Sequence, residues 1–270
     1  MSLVANARMY GVNPEARAAW TDLFAWLSRR SGVNLSIIAH AYPAPLRELW
    51  TRADLACAFM CGFPFARAHH CPIPVAAPVP AAGPAPGEPR YATRFVVASH
   101  SAFHTLEDTF GGRLGYTVED SHSGFNATRH HLLAYRTPER PALYGASIGP
   151  LVTPRRVIEA LLSGTIDVGP LDSYAFDLML RHEPELARLL RVVASTQPAP
   201  IPFLVASPAT PPAVVAALRA SLLAFGEALD CVILRDRLCL LGFAPVDASA
   251  YDMLSRWDDE ACAAGYPAPG

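Results

Sequence analysis

NPEARAAWTDLFAWLSRRSGVNLSIIAH, residues 13–40, joins a capped helix to a β-branched strand. Asn13 is a good N-cap, Pro14 suits the first helical position, and Gly32 stops the helix. Ala16, Trp20, Leu23, Phe24 and Leu27 fall on one face, so the helix is amphipathic. A strand-like segment, 3–8, precedes it and LSIIAH (35–40) follows. A short helix in PAPLRELWTR comes next, then DLACAFMCG (54–62), an apolar run that reads as a buried parallel strand. The order β-α-β-α-β predicts a parallel sheet with helical crossovers, and the fold class is α/β.

Further along, CPIPVAAPVPAAGPAPGEPRY (71–91) departs in composition. Proline lacks an N–H, so 73–79 reads as an edge strand and 80–89 as an exposed, stiff connector. A second α/β series follows. Strands are expected at 90–99, 113–118, 142–148, 165–172, 191–196 and 201–207. Helices are expected at 120–136, 153–164 and 173–190. The chain after 207 reads as mainly helical, including CVILRDRLCLLG (231–242) and the 249–265 segment, whose Trp257–Glu260 run reads as a solvated face.

With 270 residues, 51% of them hydrophobic, the chain can bury a sizeable core as one large or two small domains. The net charge of −2 offers no basic stripe for nucleic acid. All 22 basic residues are arginine, which removes lysine Schiff-base chemistry and a lysine-dependent phosphate loop. Six cysteines at 57, 61, 71, 231, 239 and 262 form no CxxC pair, read as free thiols and suit a reducing compartment. His69–His70 and His130–His131 are adjacent in sequence and cannot chelate as pairs, so neither metal nor cofactor is expected. No run of 18 apolar residues and no export-type leader occurs, so the chain is expected not to be membrane-embedded. As written it reads as cytoplasmic, or as periplasmic if a signal was removed.

Within the second series DSHSGFN (120–126) opens a helix. Ser and Asp there can simply cap it. The same first turn can hold an oxyanion, because its N–H groups lack helical partners and hydroxyls donate to oxyanion oxygens. Ser121 and Ser123 would supply hydroxyls, His122 a charge or a donor, and Gly124 close backbone approach. A nucleophilic serine is not supported, since the G-x-S-x-G frame and a positioned base are missing, so no catalytic residue is assigned. Asp172, in GPLDSYAFD (169–177), stands at a strand's C-terminal end, where ligands bind in open α/β sheets, and caps the next helix equally well. Tyr10 in MYGVNPE (9–15) and Phe63 in MCGFPFA (60–66) follow strands of the first series and are candidates to line a ligand cleft.

Taken together, the tyrosine-glycine helix start, the CGFP turn, TLEDTFGGRLGYTVEDSHSGFNATR (105–129) and SGTIDVGPLD (163–172) resemble the phosphate/phosphonate-type solute-binding proteins of ABC transporters. The resemblance rests on Leu106-Glu107-Asp108, Gly112-Arg113-Leu114-Gly115 and above all Ser121-His122-Ser123-Gly124, and runs roughly from Leu3 to Ser207. It implies a two-lobed type II periplasmic-binding-protein-like fold with a ligand cleft between lobes, lobe one being 1–94 plus 204–270 and lobe two 95–203. It implies a solute-binding protein for a small anionic ligand, such as a phosphonate or phosphate ester, working with an ABC-transporter membrane subunit. Ser121, His122 and Ser123 would then match the phosphonate-coordinating segment, and Asp172 the contact to the ligand's amino end. Tyr10 and Phe63 would stand near the family's aromatic contacts. The family places a histidine near strand 142–148, where this chain has YGASIGP (144–150). The alternative is a cytosolic enzyme of cofactor biosynthesis on the same fold.

Overall fold

The computed structural model describes residues 3–68 and 72–270, so His69, His70 and Cys71 lie outside the described residues. The chain divides into two compact units, 1–90 with 200–250 and 91–199 with 251–270.

The first unit is built on a six-stranded sheet in the order Leu240–Ala244, Ile73–Pro80, Phe203–Ala206, Leu55–Met60, Leu3–Asn6, Leu35–Ile37. The expected β-α-β-α-β run forms its parallel part: Leu3–Asn6 pairs in parallel with both Leu35–Ile37 and Leu55–Met60. Phe203–Ala206 pairs antiparallel to Leu55–Met60, so the sheet is mixed rather than parallel throughout. All six residues of Leu55–Met60 are buried, as an apolar run without alternation requires.

The helix Pro14–Ser31 forms as its sequence dictates. The Asn13 side chain accepts from the Ala16 N–H at 2.8 Å, and Gly32 takes the left-handed conformation, φ 70°, that ends the helix. Its buried face carries Trp20, Leu23, Phe24 and Leu27, and it packs on the helices Pro212–Leu223 and Val232–Leu238. Trp26 adds a hydrogen bond from its indole N–H to Asp230 at 3.0 Å.

Two expectations for this unit are corrected. Ile73–Pro80 lies inside the sheet, not at its edge. Its two neighbours engage different halves: Phe203–Ala206 pairs with positions 73–76, and Leu240–Ala244 with positions 77–80, each across a register shift. Prolines 74, 78 and 80 therefore never serve a ladder on both sides, which is what their missing N–H forbids. Arg219 donates to the Pro74 and Val75 carbonyls at 2.6 and 3.2 Å, satisfying acceptors a regular strand would have paired. The second correction concerns 231–242. The helix stops at Leu238, Cys239 adopts φ 51°, and Leu240–Ala244 continues as a strand. The leucine-rich run LCLLG carries no glycine or proline before the break, so nothing in its composition separated helix from strand.

In the second unit, Thr93–Ala98 pairs antiparallel with Leu190–Ser195 on one side and Gly169–Asp172 on the other. Arg113–Gly115 pairs in parallel with Ala146–Ile148, a shorter strand than expected. Phe95, Val97, Leu106, Leu114, Leu132, Leu143, Tyr144, Val168 and Tyr266 make a contiguous core. The tail 251–270, expected with lobe one, packs in this unit instead. Its helix Asp252–Ala263 turns Trp257 inward, 6% exposed, and half-buries Asp258, while Asp259 and Glu260 remain exposed, so the Trp257–Glu260 run is solvated in its second half alone. Asp258 pairs there with Arg129, and Glu260 with His130 at 2.6 Å.

Replacing the buried cap of the first helix gives a direct test of this assignment. Asn13→Ala should destabilise the protein by about 1 kcal/mol, read as a lower urea midpoint at unchanged slope; an unchanged midpoint would sink it.

Candidate functional site

The stretch DSHSGFN belongs to the second unit. A turn of π-helix, His122–Asn126, runs directly into the α-helix Ala127–Leu132. Its wide turn is closed by the Asn126 N–H donating to the Ser121 carbonyl at 3.0 Å, and such turns recur at functional sites. The Ser121 hydroxyl accepts from the Gly124 N–H at 3.0 Å and is the helix cap. Ser123 is held through its carbonyl, which accepts from Thr93 Oγ1 and Thr128 Oγ1, each at 2.9 Å. Its own hydroxyl, half-buried, makes no hydrogen bond among the described residues. The two serines thus divide the expected roles: Ser121 caps, and Ser123 presents a hydroxyl.

Gly124 is needed for a different reason from the one its position suggested. A Cβ there would lie 1.8 Å from Thr117 Oγ1 and 2.8 Å from Thr117 Cβ. The space beside its Cα is filled by the protein's own threonine, which also donates its N–H to the Gly124 carbonyl at 3.3 Å. Close approach is to Thr117, not to a ligand.

His122 is 1% exposed. Its ring stacks on Trp257 at 5.3 Å, with Tyr91 at 6.1 Å, and its Nδ1 lies 3.3 Å from Asn126 Nδ2. Burial, with a smaller contribution from nearby His130, pushes its pKa down to about 3. It is therefore neutral at ordinary pH and does not supply the positive charge its place in the motif suggested.

Asp172 is buried and caps the helix Ser173–His182, its Oδ1 accepting from the Ala175 N–H at 2.9 Å. Both readings from the sequence named this atom, and the capping one is realised. Tyr10 and Phe63 belong to the first unit. Tyr10 is fully buried, edge-on to Phe59 at 4.8 Å and stacked on Trp20 at 6.5 Å, which makes it part of the aromatic core. Phe63 is 2% exposed with the Arg67 guanidinium 5.1 Å from its ring centre. Packing thus accounts for both rings.

Sequence reasoning missed the residues that hold the π-turn from behind. Asn126 is 0% exposed and Arg129 3% exposed. Arg129 pairs with Asp258, donates to the Pro267 carbonyl at 2.7 Å and to Asn126 Oδ1 at 3.2 Å. A polar residue on each successive helical turn, Asn126 and Arg129, amid Phe125, Ala127 and Leu132 was the available signal. Among the described residues no group of histidine, cysteine and acidic side chains is arranged to hold a metal ion. Among the described residues Cys57, Cys61, Cys231, Cys239 and Cys262 form no disulfide; burial pushes Cys57 well above the ordinary thiol range and Cys231 up to about 11. Among the described residues no helix is long and apolar enough to cross a membrane.

Two outcomes follow from this geometry. Gly124→Ala should lower the melting temperature sharply, and Thr117→Gly in the same chain should recover part of the loss; additive effects would show that the two residues do not compete for one space. The second concerns acid. An unfolded histidine takes up a proton near 6.5, but folded His122 does so only near 3. The stabilising effect of its neutral, buried form is therefore complete above about pH 6.5 and lost as pH falls towards 3. His122→Gln should flatten the melting-temperature profile across that window, and a profile parallel to the parent's would refute the assignment.

Comparison with known proteins agrees with this framework. No curated protein matches the chain by sequence. A binding-protein component of an ABC phosphonate transporter from Pseudomonas aeruginosa superimposes with a TM-score of 0.79 at 16% identity, over 98% of this chain and 88% of that one. PhnD1 from Prochlorococcus marinus, in complex with methylphosphonate, gives 0.78 at 15% identity over 96% and 97%. An alkanesulfonate-binding protein from Xanthomonas axonopodis pv. citri, bound to MOPS, gives 0.60 at 15% identity over 98% and 93%. At these identities the structures establish the fold, which is the α/β, type II periplasmic-binding-protein-like architecture. The family model for the ABC-transporter phosphonate periplasmic substrate-binding protein matches residues 12–251. With nearly the whole chain inside that match, the protein belongs to the phosphonate-type substrate-binding proteins of ABC transporters.

Proposed function

We propose that this chain captures a small phosphonate or a related tetrahedral oxyanion on the Ser121–Gly124 turn and delivers it to the membrane subunit of an ABC-type uptake system. The observation that carries the reading is the division of labour between the two serines. Ser121 is consumed as the cap, while Ser123 holds its backbone in place through its carbonyl and keeps its hydroxyl for another partner. Helix starts favour negative charge, and a hydroxyl beside one donates to an oxyanion oxygen. The methylphosphonate and MOPS found in two structural neighbours both carry a tetrahedral oxyanion, which supports this ligand class. Asp172 offers a carboxylate for a cationic substituent on the ligand, beside its capping role. His122 contributes shape rather than charge. We read the site as one of binding without chemistry: among the described residues Ser121 and Ser123 pair with backbone groups and threonine hydroxyls rather than with a base.

Titration calorimetry with methylphosphonate, inorganic phosphate and methanesulfonate tests it. At least one should bind. Ser123→Ala should weaken that binding by roughly tenfold or more, the worth of a hydrogen bond to a charged group, with little change in melting temperature. Ser121→Ala should instead lower the melting temperature by about 2–4 °C, as the loss of a cap does in a chain of this size. Silence from all three anions, or full affinity in Ser123→Ala, would overturn the proposal.

A further inference from the structure

We infer that Asn126 is the positioning residue of the oxyanion turn, acting on Ser121 and Ser123 from the buried side. This rests on the reading of Ser121–Gly124 as an anion site and adds the part that sets its geometry. Asn126 is wholly buried, so each of its polar atoms must find a partner inside the protein. The neighbours fix which way its amide points. The Leu254 carbonyl can only accept, and it lies 2.8 Å from Nδ2; the Arg129 guanidinium can only donate, and its Nη2 lies 3.2 Å from Oδ1. With the amide so oriented, Nδ2 also faces His122 Nδ1 at 3.3 Å as a donor. His122 Nδ1 is then the bare nitrogen, and the ring proton is on Nε2.

The start of the turn is therefore tied at two adjacent positions to the residue at its end. The Asn126 backbone N–H holds the Ser121 carbonyl, and its side chain holds the ring of His122. The anchor itself is rigid: Leu254 belongs to the helix Asp252–Ala263, and Arg129 is locked to Asp258 of the same helix. Ser123 lies between the tethered pair Ser121–His122 and Asn126 itself, with its carbonyl pinned by two threonine hydroxyls. Its hydroxyl and the first N–H groups of the turn are thereby set before any ligand arrives, so that little ordering cost falls on binding. A longer or apolar side chain at 126 would leave the Leu254 carbonyl and the His122 ring to find other partners, and the turn would lose its register.

The experiment compares the parent, Asn126→Leu, Asn126→Ser and Ser123→Ala in the full chain. Affinity for methylphosphonate and inorganic phosphate is measured by calorimetry, melting temperature without ligand, and the His122 tautomer by imidazole ¹⁵N chemical shifts. The parent should show the proton of His122 on Nε2. Asn126→Leu should bind the anion about tenfold more weakly and change the His122 tautomer signal. Asn126→Ser, which keeps a donor, should recover part of the affinity, and it carries the test if the leucine variant fails to fold. Affinity within twofold of the parent in both Asn126 variants, or a parent His122 protonated on Nδ1, overturns the inference. Loss of binding in Ser123→Ala with binding kept in the Asn126 variants refutes the positioning role alone. A parent that binds no anion removes the site, and the positioning role with it.

Discussion

A guanidinium buried as deeply as that of Arg129 is tolerable only against a counter-charge and a set of acceptors, because an unpaired ion in a poorly polarisable interior is costly. Asp258 supplies the charge, and Asn126 and the Pro267 carbonyl supply acceptors. The consequence reaches beyond the pair. Asp258 is carried by the helix Asp252–Ala263, so satisfying Arg129 recruits that helix to the second unit. The same helix then offers Trp257 to the rings of His122 and His130, and the Leu254 carbonyl to Asn126. The helix that starts at the motif is thus backed along its length by a segment more than a hundred residues later in the chain.

This backing changes what each letter of the motif means. Ser-His-Ser-Gly reads in isolation as four residues offered to an anion. In the folded chain His122 faces the packed side and is kept neutral, Gly124 yields its space to Thr117, and Ser121 closes the cap. Among the described residues the Ser123 hydroxyl makes no hydrogen bond. A helix start that binds an anion needs few donors, provided that they are rigidly placed, since the N–H groups and the helix dipole add their share. The economy of side chains at the surface of this turn is matched by a dense network beneath it.

Local rules were legible where the deciding chemistry lies within a few residues. The Asn13–Pro14 start, the Gly32 stop and the buried strand Leu55–Met60 all appear as read. Misreadings came where a residue's partner is distant. The prolines of Ile73–Pro80 argued for an edge, but two staggered neighbours let the strand sit inside the sheet. Asp258 reads as solvated in the sequence, but in the fold it is half-buried against Arg129. Tyr10 follows a strand, as ligand-lining aromatics do, and is nonetheless enclosed by Trp20 and Phe59.

The sequence by itself determined the α/β class, the caps that start the principal helices, the family, and the helix start on which the proposed site is built. These depend on backbone preferences and on side chains reaching three or four residues along the chain. Tertiary structure alone decided which unit the last twenty residues join and that His122 is uncharged. Each of these turns on burial and on partners such as Trp257, Leu254 and Asp258, more than a hundred residues away, and no local pattern encodes a desolvation cost or the identity of a distant counter-charge.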